Sequence, residues 1–187
     1  SRGAGHKSAR FTAMIGERNQ EHPPPTVPPP TGTIRTTLEI MGTLRTTAGR
    51  ANHAIPVAGS LDLPECQLAL DPYVLGLWLG DGTSRAGQIT SDPQNGDQVT
   101  IRQAIHAAGF HTTDYPSIIT FGVPGLQPIL RAIGVLGDKH VPISYLRASP
   151  AQRLALLQGI MDTDGHACAS GAVELTSTLQ RLADGVQ

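Results

Sequence analysis

Aromatic residues are scarce in this chain: Phe, Tyr and Trp together make up 4% of 187 positions. Cysteine is scarcer still, with Cys66 and Cys168 far apart and in no C-x-x-C spacing. That excludes a disulfide framework and a thiolate zinc site, and the expectation is two reduced thiols in a cytoplasmic protein. No apolar run approaches the ~20 residues that a membrane span takes, and no secretory apolar core follows the first basic residues, so no membrane partner is expected. Charge is also sparse. Charged residues account for 16% and the formal net charge is −1. The broad basic field of many nucleic-acid binders is therefore missing, and any DNA contact rests on local Arg and Lys. Histidine offers no ligand spacing such as H-x-x-x-H. His53, His106, His111, His140 and His166 read as ordinary surface or half-buried side chains.

Proline (15) and glycine (21) are plentiful, which points to loop and linker. Residues 1–31 end in HPPPTVPPPT, from His22 to Thr31. Proline at that density holds the backbone extended and removes amide donors, so this part reads as a disordered arm or linker. Residues 32–70 read as an extended segment leading into a domain. Leu38, Ile40, Met41 and Leu44 are spaced to line one short helix, and the proline-punctuated stretch from Asn52 to Glu65 is expected to drape over a surface.

From Asp71 the pattern becomes regular. Asp71 caps and Pro72 opens a helix that is apolar nearly all round from Tyr73 to Leu79, and so is expected to be buried on most sides. A strand follows over Gly87–Ser91, then a helix over Asp97–Ala108, a strand over Ile118–Val123 and a helix over Leu126–Ile133. Lys139 to Leu146 reads as extended around Pro142. Ser149 and Pro150 open a helix running to about Thr163. A strand over Val173–Thr176 and a helix over Leu179–Val186 close the chain. The expected fold class is α+β, in two units: 71–148, and a second, incomplete one over 149–187.

The two units share a motif. Val74–Gly82 (VLGLWLGDG) and Leu157–Gly165 (LQGIMDTDG) both read apolar, x, Gly, apolar, apolar, x, small, Asp, Gly, at an offset of 83 residues. Small residues recur four apart, Gly76 with Gly80 and Gly159 with Thr163, so each helix has one bare face. If the helices pack through those faces, their C-terminal ends lie side by side and Asp81 meets Asp164. Two carboxylates at negatively polarised helix ends repel each other unless a cation neutralises them. Few oxygen ligands suit Mg²⁺, which can activate water and stabilise the leaving oxygen of a phosphodiester. Asp162-Thr-Asp164 also looks like the start of an EF-hand loop, but positions six and twelve are then Ala167 and Val173, not Gly and Glu, and that reading fails.

DPYVLGLWLGDG (Asp71–Gly82), GDKHVP (Gly137–Pro142) and LLQGIMDTDG (Leu156–Gly165) resemble the LAGLIDADG homing endonucleases. With ANHAIPVAGSLDLPE (Ala51–Glu65) upstream, the wording is similar to endonuclease-bearing inteins, particularly those inserted in bacterial replicative DNA helicases. The resemblance covers roughly residues 50–187. It implies two pseudo-symmetric αββαββα halves joined through the motif helices, with the second repeat truncated here. It also implies antiparallel sheets that form a saddle over double-stranded DNA. Asp81 and Asp164 are then the catalytic, metal-binding acids. Gly80 and Thr163 lie beside them as further metal-binding residues, with Mg²⁺ as the cofactor and Mn²⁺ as a substitute. Lys139 matches a basic residue of the active centre. Gln88, Arg85, Arg102 and Arg147 become DNA contacts, and Gly76, Gly80, Gly159 and Thr163 the helix interface. Leu79 departs from the acidic consensus that Asp162 keeps.

The leading expectation is site-specific, Mg²⁺-dependent cleavage of both DNA strands by an intein-encoded enzyme whose host is a replicative DNA helicase. The alternative is a truncated or decayed element that binds DNA without cutting it, and a third is a remnant that never folds. Splicing junctions are not apparent. The second half would be completed by a downstream chain or by dimerisation.

Overall fold

The computed structural model describes residues 32–54, 59–168 and 172–187. The proline-rich arm at 1–31 lies outside the described residues, as do 55–58 of the upstream stretch. Helix α1, Thr37–Gly42, opens on a capping box: the Thr36 hydroxyl accepts from the Glu39 amide, and the Glu39 carboxylate accepts from the Thr36 amide. The short helix expected here forms, but Leu38, Met41 and Leu44 remain exposed and contribute nothing to a core. The described part of 59–69 has no regular structure, and only at Leu70 does the chain enter the interior.

Helix α2, Pro72–Asp81, follows. The Asp71 carboxylate accepts from the Val74 amide at 3.0 Å, and Pro72 occupies the first turn, where no amide is needed. Every residue from Val74 to Leu79 is buried, which agrees with the all-round apolar sequence. After α2 the chain doubles back. Gly82 makes a single bridge to Ile89, and β1 runs over Gln88–Thr90. A 3-10 turn at Pro93–Asn95 leads to α3, Asp97–Ala107, then β2 (Thr113–Asp114), β3 (Thr120–Gly122), α4 (Leu126–Ala132) and α5 (Ile143–Leu146). Helix α6, Pro150–Asp164, opens on a second capping box, between Ser149 and Gln152. It runs directly into β4, Gly165–Ala167, which is followed by β5 (Val173–Leu175) and α7 (Gln180–Val186).

The first sheet is antiparallel in the order β1-β3-β2, with Ile89 opposite Phe121 and Gln88 opposite Gly122. Alternation along the strands turns Ile89 and Phe121 into the core, where they meet α2, Ile101 and Ile105 of α3, and Leu126 and Leu130 of α4. The second sheet is the antiparallel pair β4-β5, with Gly165 opposite Leu175. The class is therefore mixed α+β with small antiparallel sheets. Among the described residues, no helix is long and apolar enough to cross a membrane.

Some expectations need correction. The stretch from Lys139 to Leu146 is not extended throughout. Pro142 sits at φ −64°, ψ 147° as a helix cap, and α5 follows it for one turn. Strands β2 and β4 have no counterpart in the sequence reading. Each depends on a partner, β3 or β5, rather than on its own two or three residues.

Candidate active site at the paired helix ends

Helices α2 and α6 cross through their glycines. A Cβ placed on Gly76 would lie 2.3 Å from the Leu156 carbonyl oxygen, 2.9 Å from the Gly159 Cα and 2.9 Å from the Ile160 nitrogen. A Cβ on Gly159 would lie 2.2 Å from the Tyr73 carbonyl oxygen, 3.0 Å from the Gly76 Cα and 2.9 Å from the Leu77 nitrogen. With the 83-residue offset these two sets are the same contacts seen from the two sides. A local two-fold axis therefore passes between Gly76 and Gly159, and backbone rests on backbone there. One turn on, the pairing is unequal: a Cβ on Gly80 would meet the Thr163 hydroxyl oxygen at 1.9 Å and the Asp164 carboxyl carbon at 3.6 Å. Gly76, Gly80, Gly159 and Thr163, the interface expected from the sequence, all lie at this crossing.

The axis carries the two C-terminal ends to one place. Asp81 and Asp164 are the last residues of their helices. The glycine after each is extended, Gly82 at φ −73° and Gly165 at φ −84°, so neither is there to supply a left-handed turn. They are needed for space. A Cβ on Gly82 would fall 2.3 Å from the Trp78 carbonyl oxygen, and one on Gly165 would fall 2.5 Å from that of Met161.

Electrostatics tie the two acids together. Burial first, and then the charge of Asp164, push the Asp81 carboxyl up to about 6, while Lys139 opposes the rise. Asp164 is also raised, by burial, with Lys139 again opposing. Lys139 itself is buried at 7% exposure. Its Nζ donates to the Gly80 carbonyl oxygen at 2.8 Å and lies 5.2 Å from the centre of the Trp78 ring. Burial lowers its pKa, and Asp164 and Asp81 counteract that. Trp78 is held in turn by its indole N–H, which donates to the Ala86 carbonyl at 2.9 Å. The site is thus two partly buried acids with one ammonium between helix end and acids.

A divalent cation fits this donor set only with help. Among the described residues no cluster of three or more His, Cys, Asp or Glu side chains forms, so protein carboxylates supply two positions and the rest falls to water, carbonyls or a bound phosphate. Burial raises both carboxyls and the charge of Asp164 adds to the rise of Asp81, so positive charge nearby stabilises their ionised forms. The Gly80 carbonyl already accepts from Lys139, and it has a second lone pair to share. The Thr163 hydroxyl donates back to the Gly159 and Ile160 carbonyls at 3.1 and 2.9 Å, along its own helix, and its backbone oxygen is the atom equivalent to the Gly80 carbonyl.

The expected DNA-contacting residues divide. Gln88 opens β1 and lines a cavity of about 320 Å³ together with Thr113, Tyr115, Gly122, Pro124 and Gln127. Arg85 and Arg147 are exposed. Arg102 is committed inside the fold instead. It pairs with Asp114 at 2.5 Å, donates to the Thr112 hydroxyl at 2.9 Å and stacks 4.2 Å over the Phe121 ring. Its charge is neutralised there, so it fastens α3 to β2 and β3 rather than standing ready for a phosphate.

Two polar contacts escaped the sequence reading. The Tyr73 hydroxyl donates to the buried Asp162 carboxylate at 2.7 Å. The Tyr145 hydroxyl, also buried, bonds both backbone groups of Leu70, at 3.1 and 2.9 Å, and so docks the entry of α2 against α5. Nothing local announces either pair, since the partners lie 89 and 75 residues apart.

No family model matches the chain. Over 153 residues it is 48% identical to the replicative DNA helicase DnaB of Mycobacterium intracellulare. That match takes in 80% of this chain and 24% of the helicase, so the chain spans about a quarter of the length of that relative.

Proposed function

We propose that this chain is a DNA-cleaving domain of the LAGLIDADG kind, carried as an intein within a replicative DNA helicase, and that it hydrolyses phosphodiester bonds in both strands of a specific double-stranded site. One observation carries the reading: the two-fold crossing of α2 and α6 sets Asp81 and Asp164 at the same place, electrostatically coupled and beside Lys139. The order of elements supports it. Helix α2, a strand reduced to the Gly82–Ile89 bridge, β1, α3, the β2-β3 pair and α4 follow the αββαββα order that the resemblance implies. The likeness over 153 residues to a quarter of a DnaB protein supports the helicase as host.

The chemistry divides among few residues. Asp81 and Asp164 offer carboxylate oxygens, and Gly80 and Thr163 carbonyl oxygens, to Mg²⁺. A bound Mg²⁺ supplies charge neutralisation and acidifies water for attack on phosphorus. Lys139, fixed at the Gly80 carbonyl, presents positive charge beside the two acids, where charge develops on a phosphate oxygen in the transition state. Burial of the site keeps these interactions stronger than they would be in bulk water.

The test is a nicking and linearisation assay on a plasmid that carries the helicase coding sequence without the insertion, in Mg²⁺ and in EDTA. Wild type cuts only with Mg²⁺. Asp81→Asn and Asp164→Asn each lose cleavage, and both still retard the same DNA in a gel. If either variant cuts at the wild-type rate, the assignment is wrong. Retardation without cutting by the wild type itself would favour the reading as a binding element.

A further inference from the structure

The two-fold crossing is symmetric in its backbone and asymmetric in its side chains. Under the 83-residue offset, Tyr73 is equivalent to Leu156, Leu79 to Asp162 and Gly80 to Thr163. On one side of the axis the Tyr73 hydroxyl donates to Asp162 at 2.7 Å. The equivalent pair on the other side is Leu156 with Leu79, both buried in the core. Asp162 is 5% exposed, so its carboxyl group has left water and depends on what faces it. At the next turn Thr163 fills the space that Gly80 leaves open, and a Cβ at position 80 would be 1.9 Å from the Thr163 oxygen.

We propose that these two mismatched pairs, Tyr73–Asp162 and Gly80–Thr163, form a complementary code by which α2 accepts α6 and each helix rejects a copy of itself. The partner each helix fits is the other motif helix of the same chain, not a second copy of this chain. A crossing of α6 with α6 would face two buried carboxylates with leucine and bring two threonines into the space of one. A crossing of α2 with α2 would turn two tyrosine hydroxyls toward leucine and set Gly80 against Gly80 one turn beyond the axis, leaving a void where Thr163 now sits. A buried carboxyl set against leucine and overpacking are both costly, and a polar contact made in only one arrangement favours that arrangement. This inference does not rest on the nuclease reading, because it concerns folding alone and leaves Asp81 and Asp164 untouched.

Exchanging the faces within the full chain tests it. One triple variant gives α2 the face of α6 (Tyr73→Leu, Leu79→Asp, Gly80→Thr). A second gives α6 the face of α2 (Leu156→Tyr, Asp162→Leu, Thr163→Gly). The third carries all six substitutions and restores complementarity with the sides reversed. Thermal melts followed by near-ultraviolet dichroism, which reads the buried Trp78, are expected to rank wild type and the six-fold variant within about 10 °C of each other, with both triple variants lower. The first triple variant is expected to lose its cooperative transition. If either triple variant melts at or above the six-fold variant, or if the six-fold variant fails to fold, the code is not what pairs these helices.

Discussion

Asp81 is held where its ionised form is disfavoured, and this makes the free protein sensitive to pH. Its carboxyl titrates at about 6 in the fold against an ordinary 3.8. A raised acid pKa means the folded state holds its proton more tightly than the unfolded chain does. The resulting stability is fully present below about 3.8 and is lost as pH rises through about 6. Without divalent cations, the urea midpoint of the wild type at pH 5 is therefore expected to exceed that at pH 7.5. Asp81→Asn is expected to flatten this dependence and to be the more stable of the two at pH 7.5. A wild-type midpoint that climbs from pH 5 to 7.5 would contradict the picture. Lys139 restrains the rise of Asp81, so Lys139→Met is expected to move the Asp81 titration, followed by carboxyl carbon NMR, to higher pH. A shift in the other direction would show that the ammonium does not act on this acid.

At the scale of elements, the joint between α2 and α6 leaves no room for even a methyl group. Gly76→Ala would drive a Cβ toward the Leu156 carbonyl, which is main chain and has no rotamer to escape into. Overpacking of a core costs about 1–3 kcal/mol, and backbone contact belongs at the upper end or beyond. Gly76→Ala and Gly159→Ala should each lower unfolding stability by about 3 kcal/mol or more in urea titrations, while Gly96→Ala, at a position with open space, should lose only the cost of its left-handed φ of 77°. Equal losses at all three positions would mean that the crossing is looser than described. Both helices were legible in the sequence because their signals are local: Asp71-Pro72 and Ser149-Pro150 at the starts, Asp-Gly at the ends, and small residues four apart. The small strands were not. Thr113–Asp114 is exposed and polar, and it is a strand only because Phe121 and Gly122 lie beside it. The same holds for the site. Asp81 and Asp164 could be paired by their repeat, but the grip of Lys139 on Gly80 spans 59 residues and the Tyr73–Asp162 bond spans 89, and no periodicity encodes either. Arg102 adds a contact that the sequence did not show: it pairs with Asp114, 12 residues further on.

The whole molecule has little charge with which to hold the DNA that the proposed function calls for. Fourteen Lys and Arg face fifteen Asp and Glu. Among the described residues Arg35, Arg102 and Arg181 pair with carboxylates, Lys139 lies at the acids, and Arg45 and Arg153 bond backbone carbonyls. Arg50, Arg85, Arg131 and Arg147 are the described arginines in none of these contacts. Each phosphate contact contributes about −0.9 to the slope of log affinity against log salt, so roughly four contacts give a slope near −4, shallow for a binder of a long site. Fluorescence anisotropy over a salt series checks this; a slope of about −7 would contradict it and match engagement of the four basic residues of 1–31 as well. The crossing at Gly76 and Gly159 bears on this scale too. At Gly76 and Gly159 main chain meets main chain, so at that point the separation of the two helices is set by the backbone itself. Under the proposed function, strands and loops on either flank can be rewritten for a new stretch of duplex without moving that joint. As a mechanical part the joint is a riveted pivot, whose two arms can be reshaped without moving the pin.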